Sequence, residues 1–157
     1  CLVGSEMCIR DSTLARAQDF QSGTFTVDDE STDDAVAALE AVASDPRIDG
    51  RRVFVLGHSQ GGMLAPRIAS RWPQARGAIL WAAPARTLLD LLPEQNRYLL
   101  SLDGDISAAG QALLDKLDSQ IAAARGSTPV PASELPLGVP QSFWKSIEAV
   151  DLSLIHI

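Results

Sequence analysis

Val53-Phe54-Val55-Leu56-Gly57-His58-Ser59-Gln60-Gly61-Gly62 is the stretch that decides the fold. A short apolar run, β-branched at alternate positions, ends in a glycine-rich turn and passes straight into an amphipathic helix. Leu64, Ile68 and Trp72 mark that helix at i, i+4 and i+8. Continuous apolar runs of this length belong to strands buried on both faces. Pro73 closes the helix, and Pro66 inside it should kink or loosen one turn. A second run of the same kind, Gly77-Ala78-Ile79-Leu80-Trp81-Ala82, comes next. Strand, helix and strand within about 30 residues make a βαβ unit with parallel strands and a right-handed crossover.

Upstream, Asp49-Gly50 makes a turn. Ser31 with Asp34 three residues later matches a capping box and predicts a helix that ends near Ser44, before Pro46. Val36, Leu39 and Val42 form its apolar side. Asp28, Asp29, Glu30, Asp33 and Asp34 crowd its start, where carboxylates complement the helix dipole; a cation site is the alternative. Residues 13–27 are polar and weakly patterned, and read as loop. Beyond Pro84, Leu88, Leu89, Leu91 and Leu92 lead into Tyr98-Leu99-Leu100. An amphipathic helix is expected from Ser107 to Arg125, with Leu113, Leu114, Leu117 and Ile121 on its face and Gly126 as its C′ residue. Four prolines (Pro129, Pro131, Pro136, Pro140) make 127–140 a loop, and Phe143-Trp144 begin a last helical stretch. Trp72, Trp81, Phe143 and Trp144 read as packing residues, and Arg51-Arg52 as a solvated edge. Arg67 and Arg71 share one helix face, where a role on a substrate carboxylate is the alternative to a structural one.

The 157 residues carry 13 Lys+Arg against 20 Asp+Glu, a net charge of −7. An acidic balance without a basic block argues against a nucleic-acid or anionic-membrane partner. No run approaches the roughly 18 apolar residues of a membrane span. With 46% hydrophobic residues the composition is that of a globular domain.

Both ends look foreign to it. Leu2-Val3-Gly4-Ser5-Glu6-Met7-Cys8-Ile9-Arg10-Asp11 and Leu152-Ser153-Leu154-Ile155-His156-Ile157 resemble translated DNA of a transposon-based sequencing-library adapter. One inverted element, read in two frames, accounts for both tails. Residues 1–12 and 152–157 are therefore expected to be artefact, as processing scars are. The remainder, 13–151, then carries no cysteine, since Cys1 and Cys8 both leave, and no thiol nucleophile or cysteine-based zinc site is implied. It keeps a single histidine, His58.

The chemistry sits in Gly57-His58-Ser59-Gln60-Gly61, followed by Gly62, between the first strand and its helix. A Gly-x-Ser-x-Gly at such a junction fits a sharp turn in which glycines two before and two after the serine relieve crowding. Ser59 would stand at the apex, and the Gln60 N–H, at the helix N-terminus, would face a developing oxyanion. No Walker lysine follows and the GxGxxG spacing is absent, which disfavours a phosphate loop.

At these residues the sequence resembles the α/β-hydrolase superfamily: VFVLGHSQGG is similar to its nucleophile elbow. Met63-Leu64-Ala65-Pro66 and Leu135-Pro136-Leu137-Gly138-Val139-Pro140 resemble the serine-aminopeptidase or dienelactone-hydrolase-like branch. The resemblance implies an α/β class, a partial α/β-hydrolase fold with a core fragment over 13–84 and a helical cap over 85–151. It implies Ser59 as nucleophile, Gln60 as one oxyanion donor, and Gly57, His58, Gly61 and Gly62 as the elbow. No cofactor or metal is implied, and the substrate would be a small-molecule ester or, less favoured, an amide or peptide.

A hydrolase of this kind needs an acid and then a histidine after the serine. His58 is the immediate neighbour of Ser59, so its side chain should leave the turn in another direction and serve structure. Asp90, Asp103, Asp105 and Asp151 can each be nominated as the acid, but none follows a strand. The second oxyanion donor would lie upstream of the stretch present. The expectation is thus a piece of a serine hydrolase, inactive by itself. The alternatives are a non-catalytic binding protein on the same scaffold, and an acyltransferase or perhydrolase using the same triad.

Overall fold

A computed structural model describes residues 17–150. The adapter-like segments 1–12 and 152–157, together with Asp151 and His156, lie outside the described residues. In chain order the elements are α1 (Ala17–Ser22), α2 (Asp33–Ala43), β1 (Val55–His58), α3 (Gln60–Arg71) and β2 (Ala78–Trp81), then α4 (Leu88–Ser101), α5 (Ala108–Arg125) and α6 (Gln141–Glu148). The strands pair in parallel, from Val55 opposite Ala78 to His58 opposite Trp81, with α3 as the crossover.

One face of this sheet is packed and the other is not. Val53, Val55 and Gly57 turn inward, beneath an α3 face that buries Met63, Leu64 and Ile68. Phe54, Leu56, Ile79 and Trp81 are exposed, Trp81 by 66%. Burial on both faces was expected, and Trp81 was expected to pack; both are corrected, because no described element lies over that face. α3 is continuous through Pro66, which removes only the backbone bond that would run to the Gly62 carbonyl.

The helix before the sheet starts earlier than Ser31. Asp29 Oδ2 accepts from the Thr26 N–H (2.9 Å) and hydroxyl (2.6 Å), while the Asp29 N–H reaches back to Thr26 Oγ1 (3.4 Å). That is the reciprocal bonding of a capping box, five residues ahead of the predicted one. A π-helical stretch, Asp28–Thr32, then leads into α2, and Ser31 lies inside it with its hydroxyl donating to Val27 O. Simple side-chain N-caps open the next helices: Thr87 Oγ1 accepts from Asp90 N–H at the start of α4, and Ser107 Oγ, where the helix was expected to begin, accepts from Gly110 N–H at the start of α5.

Helices α4, α5 and α6 form a second, all-helical layer. Leu114 and Ile121 of α5 are buried, but Leu113 is 60% exposed, so it falls off the predicted face. Gly126 caps α5 in an extended conformation (φ −63°, ψ 163°) rather than the left-handed one expected of a C′ glycine. Within 127–140 the chain makes short 3-10 turns at Ala132–Glu134 and Pro136–Gly138.

The two layers meet through residues that sequence patterning assigned to loop. Phe25 and Val27 are 2% and 0% exposed, at the centre of a core shared with Met63, Leu64, Leu89 and Trp144. Phe25 stacks on Phe143 of α6 (centroids 6.4 Å apart, planes at 13°). Around them the Val27 N–H donates to Ser146 Oγ (2.9 Å) and the Ser142 hydroxyl to Phe25 O (2.6 Å). Arg67 of α3 donates to both oxygens of Asp28 (2.9 and 2.6 Å), and Arg71 to Asp33 (2.6 Å), fixing the π-helical stretch to α3. This places both arginines in structural pairs. Arg125 of α5 does the same in the helical layer, reaching Asp90 and Glu148 at 2.7 Å each.

The joint between β1 and α3 is the tightest place in the sheet layer. A Cβ on Gly57 would overlap the Gly61 carbonyl and come within 2.6 Å of the Gly62 nitrogen. A Cβ on Gly62 would lie 2.9 Å from the Ala83 Cβ, whereas one on Gly61 would meet nothing within 4 Å. Crowding therefore demands glycine at 57 and 62, not at 57 and 61 as expected.

Four outcomes follow for stability measured by urea unfolding. Gly57→Ala should cost more than about 4 kcal/mol or prevent folding. Gly61→Ala, in a helix first turn with open space, should be neutral or stabilising by up to about 1 kcal/mol. Phe25→Ala should cost about 3–5 kcal/mol, which a loop residue would not. Asp28 is held below the ordinary carboxylate range, first by the hydrogen bond from Arg67. A depressed carboxylate contributes stability above its unfolded value, near pH 4, and loses it as pH falls through the lower folded value. The urea midpoint should therefore drop on acidification from about pH 5 downward, with up to about 1 kcal/mol of the loss absent in Asp28→Asn, since the pair is partly exposed.

Candidate active site

Ser59 lies at the apex between β1 and α3, exposed to solvent, with φ 55° and ψ −121°. A positive φ is uncommon for a residue with a side chain and is maintained only where the surroundings impose it. Here the imposing bonds run on both sides: Ser59 N–H donates to Trp81 O (2.9 Å), and Ser59 O accepts from Met63 N–H (3.1 Å). The turn is thereby tied to the end of β2 and to the first turn of α3. Ala82, the residue after β2, also has a positive φ (49°), so two strained residues stand side by side at the C-terminal edge of the sheet.

Among the described residues no side chain bonds to the Ser59 hydroxyl. His58 sits edge-on to Trp81 with ring centroids 5.2 Å apart. Gln60 begins α3, a position whose N–H has no partner within a helix. Its carboxamide donates to Glu30 Oε2 at 3.2 Å, linking the turn to the π-helical stretch. Gly61 and Gly62 fall in the first turn of α3.

Among the described residues, none of the nominated acids bonds to the serine. Asp90 is bonded to Arg125, whose guanidinium holds the carboxyl below its ordinary range. Asp103 and Asp105 lie exposed between α4 and α5, and Asp151 is outside the described residues. The acidic crowd at 28–34 is engaged with Arg67, Arg71, Gln60 and Thr26, and among the described residues no group of His, Cys, Asp or Glu is arranged to hold a metal ion.

A cleft of about 310 Å³ opens between the turn and the helical layer. Gln60 and Glu30 lie at one side, Leu88, Leu91, Leu92 and Gln95 of α4 at another, with Val139 and Trp144 completing it. The α4 residues are spaced i, i+3, i+4 and i+7, one helical stripe whose leucines were noted in the sequence, though neither Gln95 nor their common face was. Glu30 carried no such signal. Its approach to Gln60 depends on where the π-helical stretch comes to rest.

Comparison with known proteins agrees with this architecture. A family model described as the alpha/beta hydrolase family matches residues 13–151. Esterase EstD of Thermotoga maritima is 36% identical over 130 residues, which cover 82% of this chain and 29% of that protein. The chain thus spans under a third of the length of that relative. No solved structure matches. No helix among the described residues is long and apolar enough to cross a membrane. With a parallel βαβ unit, a glycine-lined strand-to-helix turn and a family match over nearly its whole length, the chain belongs to the alpha/beta hydrolase family.

Proposed function

We propose that the chain carries the nucleophilic part of a serine esterase site, with Ser59 as nucleophile and the Gln60 N–H as one oxyanion donor. The observation that carries the reading is the strained backbone of Ser59, exposed at the junction of β1 and α3 (φ 55°). The similarity to an esterase supports the ester as substrate class. Met63–Pro66 and Leu135–Pro140 support the serine-aminopeptidase or dienelactone-hydrolase-like branch, and α4 to α6 would serve as a cap over the cleft.

In this reading a histidine outside the described residues takes the Ser59 proton as Oγ bonds to the ester carbonyl carbon. The negative charge gathers on the carbonyl oxygen, towards the N-terminus of α3, where the helix dipole and the Gln60 N–H stabilise it. The carbonyl–alkoxy bond breaks, the alcohol leaves with the transferred proton, and an acyl-Ser59 ester remains. Water then adds to that ester with its proton passing to the same base, the carbon–Oγ bond breaks as the base returns that proton to Ser59 Oγ, and the carboxylic acid is released. His58 has no part in this sequence, and residues 17–150 are inactive without the missing base and its acid.

A fluorophosphonate probe tests the assignment. A longer protein read from the flanking DNA should be labelled at Ser59 and hydrolyse short-chain p-nitrophenyl esters. Ser59→Ala should abolish labelling and lower kcat by about 10⁴-fold or more. The 157-residue chain alone should not be labelled, and labelling of that chain at a rate dependent on His58 would overturn the claim of inactivity.

A further inference from the structure

The cleft beside Gln60 is lined mostly by apolar side chains. Its longest wall is the α4 stripe Leu88, Leu91 and Leu92, faced by Val139 and Trp144. Its polar members include Glu30 and Gln60, and no Lys or Arg among the described residues lines it. The neighbouring arginine of α3, Arg67, is held by both oxygens of Asp28.

We propose that this cleft takes the hydrocarbon group of a neutral ester, up to about twelve carbons, and turns away anionic groups. The inference rests on Ser59 being the site of ester cleavage, because Gln60 is what joins the cleft to that serine. Size sets the upper limit. A cavity of about 150 Å³ accepts a benzene ring, so one of about 310 Å³ accepts about twice as many carbons at the same density. Charge sets the selection. A carboxylate moved into the cleft would exchange water for a mostly apolar lining, which carries no cationic side chain among the described residues. A methyl ketone or an ester of equal length loses far less.

The test is binding to the 157-residue chain, read from the methyl chemical shifts of Leu88, Leu91 and Leu92. The probes are alkan-2-ones of about six to ten carbons and alkanoates of the same lengths. The ketones should shift those methyls, with Kd falling about fourfold for each added methylene. Alkanoates of equal length should bind at least about tenfold more weakly. Absence of any shift at these leucines overturns the proposal. So does equal affinity for alkanoate and ketone, or binding seen only at Leu56 and Ile79 on the exposed sheet face. Methyl esters lengthened on the acyl side and acetate esters lengthened on the alcohol side, titrated in the same way, tell which half of the ester enters. If neither series strengthens with length, the cleft is not the hydrocarbon site. No bond is broken in this measurement, so its result and the labelling of Ser59 fail separately.

Discussion

The backbone of β1 and the first turn of α3 approach so closely at Gly57 and the Gly61 carbonyl that no side chain fits between them. That contact forces the chain to reverse within one residue, and the residue that absorbs the reversal is Ser59, at φ 55°. Two hydrogen bonds then hold it, one from its own N–H to Trp81 O and one to its carbonyl from Met63. The position of the serine is thus the product of backbone packing in a βαβ unit, not of any partner for its hydroxyl. A strained serine of this kind costs folding energy that the buried face of α3 must offset.

The rest of the molecule is arranged around keeping α3 in place. Arg67 and Arg71 reach from it to Asp28 and Asp33, and Gln60 at its start reaches Glu30. Three anchors along one helix fix its rotation as well as its distance. Phe25 and Val27 then join the sheet layer to the helical layer through Phe143 and Ser146. The cleft is a by-product of that junction: its walls come from α4, α6 and the loop before α6, and its polar side from Glu30 and Gln60.

What the sequence revealed was local. The strand, turn and helix at 53–72 are legible because glycine spacing and apolar periodicity act over a few residues, and Ser107 caps its helix by a contact three residues away. The capping box was misplaced from Thr26 to Ser31 because Asp28 through Asp34 offer several matching pairs, and only burial of Val27 selects among them. Phe25 and Val27 were unreadable as core since their partners lie more than a hundred positions along the chain, at Ser142 and Ser146. The pairing of Gln60 with Glu30 spans 30 residues and has no periodic signature. Phe54, Leu56, Ile79 and Trp81 misled in the opposite sense, reading as buried because a sequence records hydrophobicity and not what covers it.

That uncovered face has a colloidal consequence. Phe54, Leu56, Ile79 and Trp81 form a continuous apolar strip across two strands whose outer edges pair with no other described strand. An apolar strip beside open backbone donors and acceptors is a template for adding another strand. The net charge of −7 opposes such contact at low ionic strength, and added salt weakens that opposition. Handling of the chain in solution is therefore governed by the back of the sheet, on the side away from α3, and low salt keeps its molecules apart.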